Sequence, residues 1–205
     1  MIRDKLFTTD IYAGFDPGAC TTGVAGWNDH SAFFNRLLGP SAKLVVEVGT
    51  WLGASALVLA DAAPNAEIVC VDTWLGALEM WTDTGDAGRY GALGLRHGYP
   101  TLYYEFLANV VRAGKQAQVT PLPLPSSIAL RLLAHLGAQP DLIYIDASHD
   151  EDDVRQDIRE ALKLNPGVIC GDDYGEGWSG VTAAVDAELP GALHEGCLWW
   201  LPKAT

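Results

Sequence analysis

Positive charge is scarce in this sequence: 13 lysines and arginines stand against 26 acids among 205 residues, a formal net charge of −13. A surface of that sign repels phosphate backbones and anionic lipid headgroups, so neither nucleic acid nor membrane is an expected partner. Long apolar runs are missing as well. Hydrophobic residues make up 49% of the chain, yet no run approaches the ~20 residues that a bilayer span requires. The opening MIRDKLFTTD mixes charges of both signs with no apolar stretch behind it, which predicts no secretion signal and a cytoplasmic location. Cysteine is sparse: Cys20, Cys70, Cys170 and Cys197 stand far apart. No two have metal-ligand spacing, so they read as buried, reduced thiols used as small hydrophobes.

What is present is a regular alternation. Five short apolar runs, KLVVEVG (43–49), EIVCVD (67–72), AQVTPL (117–122), DLIYID (141–146) and GVICGDD (167–173), are β-branched and hydrophobic at both parities, as strands covered on both faces must be. Helix-period segments lie between them. GASALVLADAA follows the first run, SSIALRLLAHL places Ile128, Leu132 and Leu136 on one stripe, and DDVRQDIREALKL turns Val154, Ile158, Ala161 and Leu162 one way. Strands alternating with such helices predict right-handed crossovers and a doubly wound, mostly parallel α/β sheet. Two segments break the pattern. A leader or cap, 1–42, carries the loop AGFDPGACTTG and a helix expected at 28–38. A domain over 43–205 contains an insertion, 73–104, with Trp74, Trp81, Tyr90, His97 and Tyr99 among glycines. Long aromatic loops at the carboxyl edge of such a sheet cover ligands in many proteins, or simply pin themselves to the domain. The terminal HEGCLWWLP reads as a last strand after a hairpin.

The first strand-to-helix junction runs Glu47-Val-Gly-Thr-Trp-Leu-Gly-Ala-Ser55. Gly49 and Gly53 allow a tight turn that a ligand can approach without meeting a β-carbon, although glycines at such junctions also serve packing. The spacing G-x-x-x-G lacks the opening G-x-G of a pyrophosphate cradle. The next strand ends in Asp72, the position at which this architecture hydrogen-bonds a ribose diol. Turn and acid together argue for a small molecule bearing a nucleoside. Ser126 and Ser127 open a later helix, either as caps or as contacts to an adenine edge.

The stretch YIDASHDEDD (144–153) puts a histidine among five carboxylates. Asp146 ends the fourth strand, and Asp172 and Asp173 end the fifth. If those strands are neighbours, their tips lie about 4.8 Å apart. Converging carboxylates either raise a pKa or bind a hard cation, and an oxygen-only set suits Mg²⁺, with Mn²⁺ or Ca²⁺ as alternatives. Ser148 and Glu151 fit an S-x-x-E capping box that would start a helix at His149, leaving Asp150 to Asp153 as its solvated first turn. His149 itself, three residues past Asp146, is a candidate general base.

With these residues in place, the chain resembles the class I S-adenosylmethionine-dependent methyltransferases, and within them the metal-dependent O-methyltransferases. VVEVGTWLGASA is similar to their first motif, VCVDTW to the ribose-binding second, and LIYIDASHDEDDV with GVICGDDY to the metal and catalytic motifs, together spanning about residues 43–190. The resemblance implies a Rossmann-like fold with a mostly parallel seven-stranded sheet. It implies Gly49 and Thr50 beside the methionine part of S-adenosyl-L-methionine, Ser55 at its carboxylate, Asp72 at the ribose, and Ser126 or Ser127 with Ala147 near the adenine. Glu47, Trp51, Thr73 and Asp146 complete the implied cofactor contacts. Asp146, Asp172 and Asp173 would be the metal ligands, with His149 and Asp146 catalytic. Catechol-type relatives carry lysine where this chain has His149, whereas macrolide-sugar methyltransferases carry histidine, so the implied acceptor is a small-molecule hydroxyl on a sugar or natural-product glycoside.

Two other readings share the fold: an NAD(P)-dependent oxidoreductase, disfavoured by the glycine spacing and the crowded carboxylates, and a non-catalytic cofactor-binding relative. The leader and the LWWLP tail offer apolar surface for a homo-oligomer, whose size the sequence leaves open.

Overall fold

The computed structural model describes residues 1–24, 30–82, 93–175 and 177–202. Among them, β1 (Leu44–Val48), β2 (Glu67–Asp72), β3 (Val119–Pro123), β4 (Leu142–Ile145), β5 (Val168–Gly171), β6 (Leu193–Glu195) and β7 (Leu198–Pro202) form one sheet in the order β3-β2-β1-β4-β5-β7-β6. The five apolar runs are its five parallel strands. The terminal segment folds as the hairpin β6–β7, whose β7 closes antiparallel on β5. The expected doubly wound, mostly parallel α/β sheet is therefore what the chain forms. Every residue of β1 is buried, which explains why its hydrophobicity runs at both parities.

The chain winds outward from β1 through β2 to β3 and then returns to place β4 on the other side of β1. The strand order thus reverses between β1 and β4, and in such sheets ligands bind beyond the carboxyl ends at that reversal. Gly49, Asp72, Asp146 and Asp172 all lie at or just past those ends.

Helices cover both faces. On one lie α3 (Ala54–Ala62), α5 (Leu102–Arg112) and α2 (Ser31–Leu37); on the other, α6 (Ser126–His135), α7 (Glu151–Leu162) and α8 (Ser179–Glu188). The helix expected at 28–38 is α2. Short helices α1 (Ile2–Leu6) and α4 (Leu78–Thr82), together with α5 and α8, were not legible from periodicity. The expected stripe on α6 is displaced: Ala129, Leu130 and Leu133 are buried while Ile128 is exposed. On α7, Val154, Ile158 and Ala161 point inward as expected, but Leu162 is exposed. A hydrophobic stripe read without the neighbouring helix leaves the rotation of the helix undetermined by about one position.

The leader is packed into the core. Phe33 and Phe34 of α2 and Tyr12 are buried in the same cluster as Val45 and Ile68, each large apolar side chain contributing roughly 1.5–3 kcal/mol. Phe34 meets Tyr144 of β4 edge-on at 5.0 Å, and Phe33 meets Trp200 of β7 at 5.6 Å. At the opposite edge, the amides of Ile2 and Arg3 donate to the Glu67 carboxylate at 2.6 and 2.7 Å. The insertion divides: Trp74 is buried against Phe106 and Tyr103, whereas Trp81, His97 and Tyr99 are exposed. Tyr90 lies outside the described residues. All four cysteines are free thiols, and Cys20, Cys70 and Cys170 are buried as expected, whereas Cys197 in the β6–β7 turn is only partly buried. No described helix is long and apolar enough to cross a membrane.

Candidate functional site

The β1 end of the edge is a backbone loop tied to one carboxylate. Asp72, at the tip of β2, accepts from the Thr50 and Trp51 amides at 3.0 and 2.8 Å through one oxygen and from the Trp74 amide at 2.7 Å through the other. Amides that would otherwise point into the crevice are thereby fixed, with Trp51 held at a positive φ of 46°. The glycine needs no approaching ligand to explain it. Gly49 has φ +86°, and a β-carbon there would run into the Asp146 carbonyl oxygen. Its bare backbone lets the β1 loop nest against the β4 loop, so this glycine has a packing role of its own.

Beside this loop Glu47 is fully buried. Its Oε2 accepts from the Thr50 hydroxyl at 2.7 Å, while its Oε1 has no hydrogen-bond partner. Burial pushes the carboxyl up to about 7, against the lowering influence of the Ser55 and Thr50 hydroxyls. The Ser55 hydroxyl lies close enough to lower this carboxyl, yet no hydrogen bond of good geometry reaches Oε1. A buried acceptor so weakly satisfied is costly, and an N–H donor brought to the β1 tip, as by an aminoacyl-type cofactor, would relieve it. Ser55 lies in the first turn of α3, and the Thr73 hydroxyl accepts from the Leu75 amide at 3.2 Å. Ser126 and Ser127 sit in the first turn of α6, after Pro125, and neither side chain caps it. Ala147 is exposed just beyond Asp146.

The β4–β5 end is built from side chains. Asp146, Asp172 and Asp173 line one small pocket with Ala147, Ser148 and Trp199. Burial, then the charges of Asp172 and Asp173, push Asp146 up to about 7, partly offset by the Tyr144 hydroxyl, which donates at 3.2 Å. Convergence of the three carboxylates is thus real, and it is expressed as a raised pKa. The other two acids are each engaged by an imidazole. His149 Nε2 lies 2.9 Å from Asp173 Oδ2, and His30 Nε2 lies 2.7 Å from Asp172 Oδ2. Burial raises Asp172, but contacts from His30, Cys197 and the Asp173 amide prevail and hold it below the usual carboxylate range.

Among the described residues no three His, Cys, Asp or Glu side chains stand so as to hold a metal ion. Asp146, Asp172 and Asp173, expected as a ligand set, are neighbours whose oxygens are directed to different partners, so as arranged they do not fit a shared cation.

The capping box expected from Ser148 and Glu151 does not form. Asp150 caps α7, accepting from the Asp152 amide at 3.0 Å, and the helix starts at Glu151. Ser148 instead donates to Asp153 at 2.8 Å. Aspartate and serine are near-equal caps, and here it is the aspartate that takes the free amide. His149 therefore precedes the helix, where Trp178 stacks on it at 3.7 Å with an interplanar angle of 12°. Gly180 lets α8 come this close, because a β-carbon there would run into the His149 carbonyl oxygen. Neither Trp178 nor His30 was marked by local pattern. Trp178 follows β5 in a glycine-rich turn, and the His30–Asp172 contact spans 142 positions.

Residues 46–174 match a family model described as a methyltransferase domain. Among solved structures, the chain is similar to an O-methyltransferase from Bacillus cereus in complex with SAH, at 19% identity over 87% of this chain and 83% of that one, with a TM-score of 0.57. It is similar also to the O-methyltransferase TomG from Streptomyces achromogenes, involved in tomaymycin synthesis and in complex with SAM, at 19% identity over 88% and 82%, with a TM-score of 0.56. At such identities the likeness establishes the fold. No curated protein sequence matches the chain.

Proposed function

Because the chain belongs to the methyltransferase domain family, we propose that it moves the methyl group of S-adenosyl-L-methionine to a hydroxyl of a small molecule, with a sugar or natural-product glycoside as the favoured acceptor. The observation that carries this reading is the division of the carboxyl edge into a loop end with an orphaned acceptor, Glu47 Oε1, and an acid end holding an oriented imidazole, His149. Similar structures that are O-methyltransferases support it. The glycine spacing and the crowded carboxylates at the ends of β4 and β5 leave an NAD(P)-dependent oxidoreductase disfavoured.

S-adenosyl-L-methionine supplies, when bound, a methyl carbon already activated by its sulfonium, so the protein's tasks are alignment and deprotonation. Glu47, Gly49, Thr50, Trp51, Ser55, Asp72 and Thr73 would hold it at the loop end, with Ala147 and the first turn of α6 flanking. Asp173 accepts from His149 Nε2, and Trp178 fixes the ring plane. The His149 imidazole would take the acceptor's proton as the methyl group leaves the sulfonium for the acceptor oxygen. Asp146, whose carboxyl is pushed up to about 7 by burial and then by the charges of Asp172 and Asp173, would hydrogen-bond the same hydroxyl and orient it. Mg²⁺, expected from the carboxylates, enters no step here, because Asp172 and Asp173 already face imidazoles.

The test is transfer of labelled methyl from S-adenosyl-L-methionine to a panel of sugars, glycosides and catechols, run with added Mg²⁺ and with EDTA. Labelled glycoside supports the reading. Labelled catechol alone overturns the acceptor class, and tight NAD binding with no affinity for S-adenosylhomocysteine overturns the chemistry.

A further inference from the structure

We propose that His30, delivered by the leader, occupies the place at Asp172 that a divalent cation would need, so that leader and cation compete for the same carboxylate. This goes beyond the proposed reaction and does not depend on it.

Both oxygens of Asp172 already carry donors: Oδ2 meets His30 Nε2 at 2.7 Å and Oδ1 accepts from the Asp173 amide at 2.8 Å. The backbone is fixed too, since the Asp172 carbonyl accepts from the Trp199 indole at 3.0 Å. His30 and Asp172 side chains are only 11% and 8% exposed, so water does not intervene to loosen the pair. His30 is held from behind as well. It precedes the first residue of α2 and meets the Phe34 ring edge-on at 6.2 Å. Phe34 is fully buried and rests against Tyr144, whose hydroxyl donates to Asp146. One connected set of contacts therefore runs from the leader through the core to both Asp172 and Asp146. A hard cation needs about six oxygens converging on one point. To draw Asp172 Oδ2 toward itself the ion competes with His30, and to draw Asp173 Oδ2 it competes with His149. The leader, in this arrangement, does the organising that a bound ion does elsewhere: it fixes the direction of the Asp172 carboxylate. His30 is thus a positioning residue, acting on the site through Asp172.

The measurement is a Mn²⁺ titration of the full chain followed by electron paramagnetic resonance, in about 0.15 M salt so that the acidic surface is screened. Wild type, His30→Ala and His30→Asn are compared, with circular dichroism melts to show that each variant is folded. Wild type is expected to bind Mn²⁺ weakly. His30→Ala, which uncovers Asp172, should bind one Mn²⁺ per chain about tenfold or more tighter. His30→Asn keeps an N–H donor and should fall between the two; it carries the test if the alanine variant does not fold. Equal affinities in all three proteins, or weaker binding on removal of His30, would overturn the proposal, the second by making His30 a ligand. Because no methyl transfer is measured, loss of this inference leaves the proposed reaction standing, and failure of S-adenosylhomocysteine to bind leaves this inference standing.

Discussion

The two ends of the carboxyl edge are built by different means. At the β1–β2 end one carboxylate, Asp72, gathers three backbone amides from the turn that follows β1 and the loop that follows β2. At the β4–β5 end three carboxylates are met by side chains from remote parts of the chain: His149 and Trp178 from the loops after β4 and β5, His30 from the leader. The first is a backbone device beside a buried carboxyl, Glu47, whose Oε1 has no hydrogen-bond partner. The second is a charge-pairing device and leaves an oriented imidazole. Binding and chemistry should accordingly separate under mutation.

The substitution that should erase the distinction is Gly49→Ala, because Gly49 is where the two loops touch. A β-carbon against the Asp146 carbonyl, at φ +86°, is expected to cost roughly 2–5 kcal/mol through strain and overpacking. Urea unfolding should show the loss, and S-adenosylhomocysteine binding should vanish with it. Next in size, His149→Ala should lower kcat by about 10²–10⁴ while the cofactor Kd stays within about twofold; an unchanged rate removes His149 as the base. Asp72→Ala should do the reverse. Freeing the Thr50, Trp51 and Trp74 amides is expected to weaken S-adenosylhomocysteine about tenfold or more, with kcat at saturation changed far less.

The smallest effect concerns Ser126, in the helix turn proposed to flank the cofactor. Its hydroxyl lies beside Asp157 of α7, a carboxyl that burial, opposed by Ser126, pushes up from 3.8 to about 6. The folded protein holds that proton more tightly than the unfolded chain. Between about pH 4 and 6 the unfolded state has lost a proton that the native state keeps, so this group's contribution to stability falls as pH rises and is least favourable above 6. Asp157→Asn should therefore be stabilising relative to wild type by roughly 1–3 kcal/mol at pH 8 and close to neutral at pH 4. Unfolding midpoints differing by the same amount at both pH values would contradict it. If Ser126 serves this helix pair, Ser126→Ala should leave the cofactor Kd unchanged, sharpening the division between the ends.

The contrast also explains what was legible in sequence. Strands buried on both faces announce themselves by unbroken apolar runs, so the five strands and their doubly wound, mostly parallel sheet followed from local pattern and connection rules. Asp72 and the glycine turn were legible because they sit at fixed offsets from those strands. His149 and the acids could be named from their position at strand ends, but their partners could not. Whether Asp172 meets a cation or an imidazole depends on where α2 docks, and that is decided by Phe33 and Phe34 packing on Tyr144 and Trp200. No spacing rule links residue 30 to residue 172. The helix rotation on α6 and the cap of α7 failed for a related reason, since each is settled by competition among near-equivalent neighbours.

The most direct test of the division between a binding end and a reacting end is a calorimetric titration of S-adenosylhomocysteine into wild type, His149→Ala and Asp72→Ala. One molecule should bind per chain, with wild type and His149→Ala alike within about twofold and Asp72→Ala weaker by about tenfold or more. No binding to wild type, or equal loss in both variants, would contradict it.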